Sequence, residues 1–163
     1  MPIPAWATIT PSLFDRLTDY DPVHTKEIPP PEQIQKEDYK ASVARDLGEL
    51  LNTRCREDDI PEQYQRVRES VIAYGLPDFT SESVDHEALR EAIERVVRTF
   101  EPRLSHVEVL LEAGIEKSKA DQLRFRFTFQ IAAVLRMPMG SELVLYDAVL
   151  PKEIRRFQVK VAR

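Results

Sequence analysis

The chain has 163 residues, 42 % hydrophobic and 31 % charged, which fits one domain with a real core and excludes both wholesale disorder and a collagen-like repeat. The net charge of −5 argues against a general nucleic-acid binder. A single cysteine, Cys55, rules out an internal disulfide, and no stretch approaches the ~20 apolar residues of a membrane span, so the expectation is a cytoplasmic protein with no direct membrane insertion.

The charge is unevenly spread: residues 1–113 carry a net −10 and residues 114–163 a net +5. A basic last third is either ordinary solvated surface or a face that steers an acidic partner. The start, Met1 to Trp6, lacks the basic segment and apolar run of a cleaved signal. Seven of the 12 prolines fall within residues 1–31 and end in Pro29-Pro30-Pro31, so residues 1–35 read as an extended arm and residues 36–163 as one domain. Within the arm, Leu13, Phe14 and Leu17 follow Ser12 at helical spacing, which predicts a short anchoring helix. Two seats suit it, the chain's own domain or a partner.

From Asp38 to Arg54, Tyr39, Val43, Leu47, Leu50 and Leu51 recur every three or four residues, predicting a helix with one apolar face. Asn52-Thr53-Arg54 closes it, with Arg54 suited to the negative end of the helix dipole. A second, shorter helix is expected over Gln63 to Ala73, with Val67, Val71 and Tyr74 in line and Gly75 as the left-handed stop. Leu76-Pro77-Asp78-Phe79 then reads as a turn. Ser83 or Asp85 caps a third helix that runs to Phe100, with a stripe of Leu89, Ile93, Val96, Val97 and Phe100.

At Phe100-Glu101-Pro102-Arg103-Leu104 the pattern changes. Pro102 cannot donate a helical hydrogen bond and pushes Glu101 out of the helical region, so the helix ends near Phe100. In the extended segment beyond, residues two apart share a side, which sets the Glu101 carboxylate beside the Arg103 guanidinium. The period then becomes two: Val107, Val109 and Leu111, and after them Leu123, Phe125, Phe127, Phe129 and Ile131, alternate with more polar neighbours. Glu142 to Val149 and Phe157 to Val161 complete four strands. Short connections predict a mainly antiparallel sheet with the amphipathic helices on its apolar face, an α+β fold.

Candidate chemistry is sparse. Glu101 is the one acid placed at a corner, yet the adjacent guanidinium favours the ionised carboxylate, the wrong state for a general acid. Glycoside hydrolysis also needs a second carboxylate across a cleft, and no local context singles one out. His24, His86 and His106 share no ligand spacing with one another or with Cys55, so no metal is expected. Four scattered glycines build no phosphate loop, so no cofactor is expected either. Arg124 and Arg126 fit the wet face of a strand. The terminal strand is more specific: at a sheet edge it offers free backbone groups to a strand of another chain, while Lys152, Arg155, Arg156, Lys160 and Arg163 guard that edge and attract acid.

Three segments in order, Ser42 to Arg54, Tyr74-Gly75-Leu76-Pro77-Asp78-Phe79 and Phe100-Glu101-Pro102-Arg103-Leu104, resemble the TssE family. That family is the baseplate subunit of bacterial type VI secretion systems and is similar to a small tail-wedge protein of contractile-tailed phages. The likeness covers residues 12–163 and implies a structural component with Glu101-Pro102-Arg103 as its hallmark. It further implies baseplate partners TssF, TssG and TssK, a link to the TssB/TssC sheath and its assembly, and a place in the cytoplasm at the membrane-docked apparatus. Partner contact is expected at Arg155, Arg156, Phe157 and Lys160, and at Leu13 and Phe14 in the arm. A lysozyme-related label inherited from the phage protein keeps one alternative in view, a peptidoglycan hydrolase using Glu101.

Overall fold

A computed structural model describes residues 14, 17, 32–55, 60, 61, 63–78, 85–116, 124–138, 140–151 and 156–162. Helix α1 spans Glu32–Asn52 and so begins six residues before the expected Asp38, directly after the proline run in sequence. Its apolar face is the expected one, with Val43, Leu47, Leu50 and Leu51 buried. Arg54 falls beyond it, and its last turn contains no basic residue. The dipole role expected of Arg54 is therefore absent; its backbone instead forms a parallel bridge with Leu76, and its side chain reaches Asp78 at 3.7 Å in an exposed pair.

The single helix expected over Gln63 to Ala73 is broken in two. Helix α2 spans Gln65–Arg68, and a 3-10 turn follows at Val71–Ala73. Ser70 divides them: its backbone is extended, its hydroxyl donates to the Val67 carbonyl at 2.7 Å and accepts from the Ile72 N–H at 3.4 Å. A serine that bonds its own neighbourhood competes with a continuous helix. Val71 consequently leaves the expected stripe and is 83 % exposed. Gly75 does take the left-handed position, φ 113°, where a Cβ would sit 2.4 Å from the Thr53 carbonyl oxygen. That close approach is what lets Leu76 pair with Thr53 and Cys55 rather than turn away.

Helix α3 spans His86–Phe100 and is capped by Asp85, whose carboxylate accepts from the N–H groups of Glu87 and Ala88. It buries Leu89, Ile93, Val96 and Val97 as the stripe requires. Four strands follow, β1 (Leu104–Glu116), β2 (Arg124–Met137), β3 (Gly140–Pro151) and β4 (Gln158–Val161), in one antiparallel sheet of order β1-β2-β3-β4. β1 carries a bulge between Ser105 and Glu108, where His106 adopts φ 52°. β2 runs six residues past Ile131, through Ala132-Ala133-Val134-Leu135, where both faces are apolar and the period of two vanishes from the sequence.

The inner sheet face supplies Val107, Val109, Phe129, Ile131, Leu135, Val144 and Tyr146 to the core. α3 lies against β1 and α1 against β4. At the far end Asn52 ties helix to sheet, its amide donating to the Phe157 carbonyl at 3.0 Å and accepting from the Phe157 N–H at 2.7 Å. The fold is α+β, helices first and sheet second.

Candidate functional site

The corner between α3 and β1 holds a densely bonded polar cluster around the buried Glu101. The Glu101 backbone leaves the helix at φ −115°, ψ 81°, and Leu104 N–H closes the turn on the Glu101 carbonyl at 3.1 Å. Arg103 then folds back on Glu101 as a fork, Nε to Oε1 at 2.7 Å and Nη2 to Oε2 at 2.5 Å, while the Arg103 N–H donates to Oε1. The Glu101 side chain is only 6 % exposed. A bidentate charge-assisted pair is among the stronger polar contacts a protein makes, and here its carboxylate is nearly out of water while the guanidinium is part-buried.

A third partner comes from α1. Asp46 accepts from Arg103 Nη2 at 2.8 Å, so one guanidinium joins the α1 surface to both ends of the turn. Tyr39 of the same helix lies under the guanidinium, 5.9 Å from carbon to ring centroid. Burial alone would depress the Arg103 guanidinium, but the bonds and charges of Glu101 and then Asp46 hold it above its ordinary value. Tyr146 approaches from β3, its phenol pushed up first by burial and then by the Glu101 charge. Asp46, Tyr39 and Tyr146 carry no mark in the sequence as members of this site: each reads as part of an amphipathic pattern tens of residues away.

What this arrangement does chemically is hold. Arg103 engages both Glu101 oxygens, and Glu101 lines neither of the two grooves found along α3. Asp46 shares the same guanidinium instead of facing Glu101 across a cleft. Of the histidines, His86 stacks on Phe127 at 4.1 Å, His106 sits at the β1 bulge, and His24 lies outside the described residues. Among the described residues no three of His, Cys, Asp and Glu gather as a metal site.

The residues expected to contact a partner are only partly described. Phe14 is helical and 59 % exposed, with the Arg45 guanidinium of α1 4.7 Å from its ring centre. Leu13, Lys152, Arg155 and Arg163 lie outside the described residues. Arg156 and Lys160 are exposed, but Phe157 is 8 % exposed and its ring packs toward Phe129, committed to the core. Arg124 and Arg126 occupy the first positions of β2. β4 is the edge of the sheet, as the terminal-strand reading requires.

Compared with known families, residues 37–138 match the model of the baseplate wedge protein gp25. The chain belongs to that family. The matched range takes in most of α1, the whole Glu101-Pro102-Arg103 corner with its partner Asp46, and the β1-β2 pair. The corner is thus inside the gp25 unit, and β3 and β4 lie beyond the match. No curated protein and no solved structure matches the chain. Membership of the gp25 family makes this a baseplate-type, phage-tail-like protein, and no described helix is long and apolar enough to cross a membrane.

Proposed function

We propose that this gp25-family chain is a TssE-type subunit, a non-enzymatic part of a type VI secretion baseplate that links the wedge to the contractile sheath and helps start sheath assembly. TssE is the secretion-system counterpart of gp25. The observation that carries the reading is the sheet edge: β4, four residues long, pairs with β3 at Tyr146–Val149 and presents its other side to no strand among the described residues. Such an edge takes a strand from a neighbouring subunit, and Lys160 and Arg156 beside it favour an acidic one. The partners of this role are TssF, TssG and TssK in the wedge and TssB/TssC in the sheath, in the cytoplasm against the docked apparatus. Binding is multivalent, because a four-residue edge alone is weak.

The test uses backbone geometry. Ala162 N–H bonds inward to the Leu145 carbonyl at 2.9 Å, so by strand alternation the Val161 N–H points away from β3. Val161→Pro therefore removes a free-edge donor while sparing the β3-β4 ladder. The tagged wild-type chain is expected to co-purify with TssB/TssC and with TssF/TssG, and Val161→Pro to lose the sheath proteins selectively at unchanged melting temperature. Retention of sheath by that variant removes the β4 edge from the proposal. Peptidoglycan turnover that Glu101→Gln abolishes with the fold intact would overturn the structural role itself.

A further inference from the structure

β1 is the edge of the sheet opposite β4, and α3 already occupies it: Arg98 donates to the Val107 carbonyl at 2.7 Å and Arg90 to the Val109 carbonyl at 3.3 Å. The open surface is the outer face of the sheet. Val109, Ile131, Leu135 and Tyr146 point inward to the core with the helices, and strand alternation turns their neighbours outward. Leu143, 72 % exposed, and Leu145, 38 % exposed, therefore stand on the outer side of β3, paired with Val134 and Ala132 of β2. These four apolar side chains form a patch on the two central strands. The charges of the face are sorted by edge: Glu108 and Glu112 are exposed on β1, either side of Leu110, and Lys160 is exposed on β4. None of the three forms an ion pair among the described residues. Asp147, opposite Lys160 in the same chain, accepts instead from the Gln130 amide at 3.5 Å.

We propose that the outer face pairs with the outer face of a second copy of this chain, about a two-fold axis that runs along the strands between β2 and β3. Facing sheets pack with their strand directions within about 30° of each other. The charges choose the axis. An axis across the strands sets β1 on β1, with Glu108 and Glu112 against acids of the second copy. The axis along the strands reverses the strand order, so β1 meets β4 and β2 meets β3 while each cross-strand row keeps its level. Val134 then meets Leu143 and Ala132 meets Leu145, and every contact occurs twice. Leu110, Gln130, Asp147 and Lys160 form one such row across the sheet. Lys160 of the second copy lands on Leu110, its stem on the leucine and its ammonium between Glu108 and Glu112. Gln130 meets Asp147, the group it already bonds within the chain. Exposed Arg136, at the end of the face, meets Ser141, so no like charges among the described side chains oppose each other. Four strands at ~4.8 Å and about seven residues at ~3.4 Å make a footprint of roughly 450 Å² per copy, about 900 Å² for the pair. That size belongs to weak, reversible association.

The face is separate from the free backbone edge of β4 and stands independently of the sheath reading. The test is sedimentation equilibrium of the full chain over a concentration series up to about 1 mM, high enough for an interface of this size. The expected result is a monomer-dimer equilibrium that Leu143→Asp shifts to monomer at unchanged melting temperature, because the residue is largely exposed in the single chain. Glu108→Lys/Glu112→Lys and Lys160→Glu are each expected to weaken self-association about ten-fold, because each sets like charges against each other at both ends of the interface. Mixed together, these two variants oppose acid to base again at both ends and are expected to regain the dimer. That recovery requires both chains to be folded. A monomer at every concentration, a dimer indifferent to Leu143→Asp, or a mixture no stronger than its components would overturn the proposal. A monomeric wild-type chain that binds purified TssF/TssG, with that binding lost in Leu143→Asp, would also overturn it and assign the face to the wedge.

Discussion

Arg103 serves two carboxylates from different parts of the chain, and its loss has an asymmetric cost. Arg103→Ala leaves the Glu101 carboxylate buried without its fork partner and Asp46 with Arg45 in place of its link to the corner. Breaking a buried pair from one side is expected to cost about 3–5 kcal/mol, read as a shift of the urea unfolding midpoint. Glu101→Gln is expected to lose less, because Asp46 still offsets the guanidinium. Equal, small losses for both variants would mean that the corner is not a brace. At this scale the sequence made the Glu101-Arg103 pair legible, since Pro102 fixes the local geometry. Asp46 was not legible, because 57 residues separate it from Arg103 and only packing of α1 on the corner closes that distance.

Elements were readable where one face is apolar and the other polar. α3 and the start of β2 have that form; the end of β2, apolar on both faces, does not, and its extent followed only from pairing with β3. The helix that broke at Ser70 shows the reverse limit: apolar spacing over Gln63 to Ala73 was present, but one local hydroxyl outweighed it. Between elements the least visible contact is the clamp of Asn52 on Phe157, which joins the end of α1 to the approach of β4. Asn52→Ala removes both bonds and leaves a buried backbone N–H without its acceptor, a loss of about 1–3 kcal/mol. Hydrogen exchange is expected to quicken first at the β4 amides, with those of central β2 still protected. Uniform loss of protection would show that the clamp stabilises the whole core instead of the edge.

For the molecule as a whole, the tyrosines set an alkaline limit. Burial raises the phenols of Tyr39, Tyr74 and Tyr146 in the folded state, with the Glu101 charge adding to each and Arg103 opposing it. The unfolded chain releases these protons near about pH 10 while the folded chain holds them to higher pH. Their contribution to stability is therefore full below about pH 10 and is lost as pH rises from there through the folded-state values. A series of urea unfolding curves should show a midpoint flat below that pH and falling above it. Tyr146→Phe should flatten the fall, and at neutral pH it should cost nothing or stabilise, because the buried hydroxyl has no hydrogen-bond partner among the described residues. A midpoint that rises with pH in this window would contradict the assignment.

The amino-acid sequence by itself determined the α+β order, the faces of the long elements and the Glu101-Pro102-Arg103 turn, because periodicity and proline geometry act over a few residues. Tertiary structure alone decided that β1 is the second edge, that Asp46 and Tyr146 join the corner, that Phe157 is inside, and that α3 lays its arginines along the carbonyls of β1. Each of these depends on how helices and sheet stack, and burial brings together side chains that no local spacing relates.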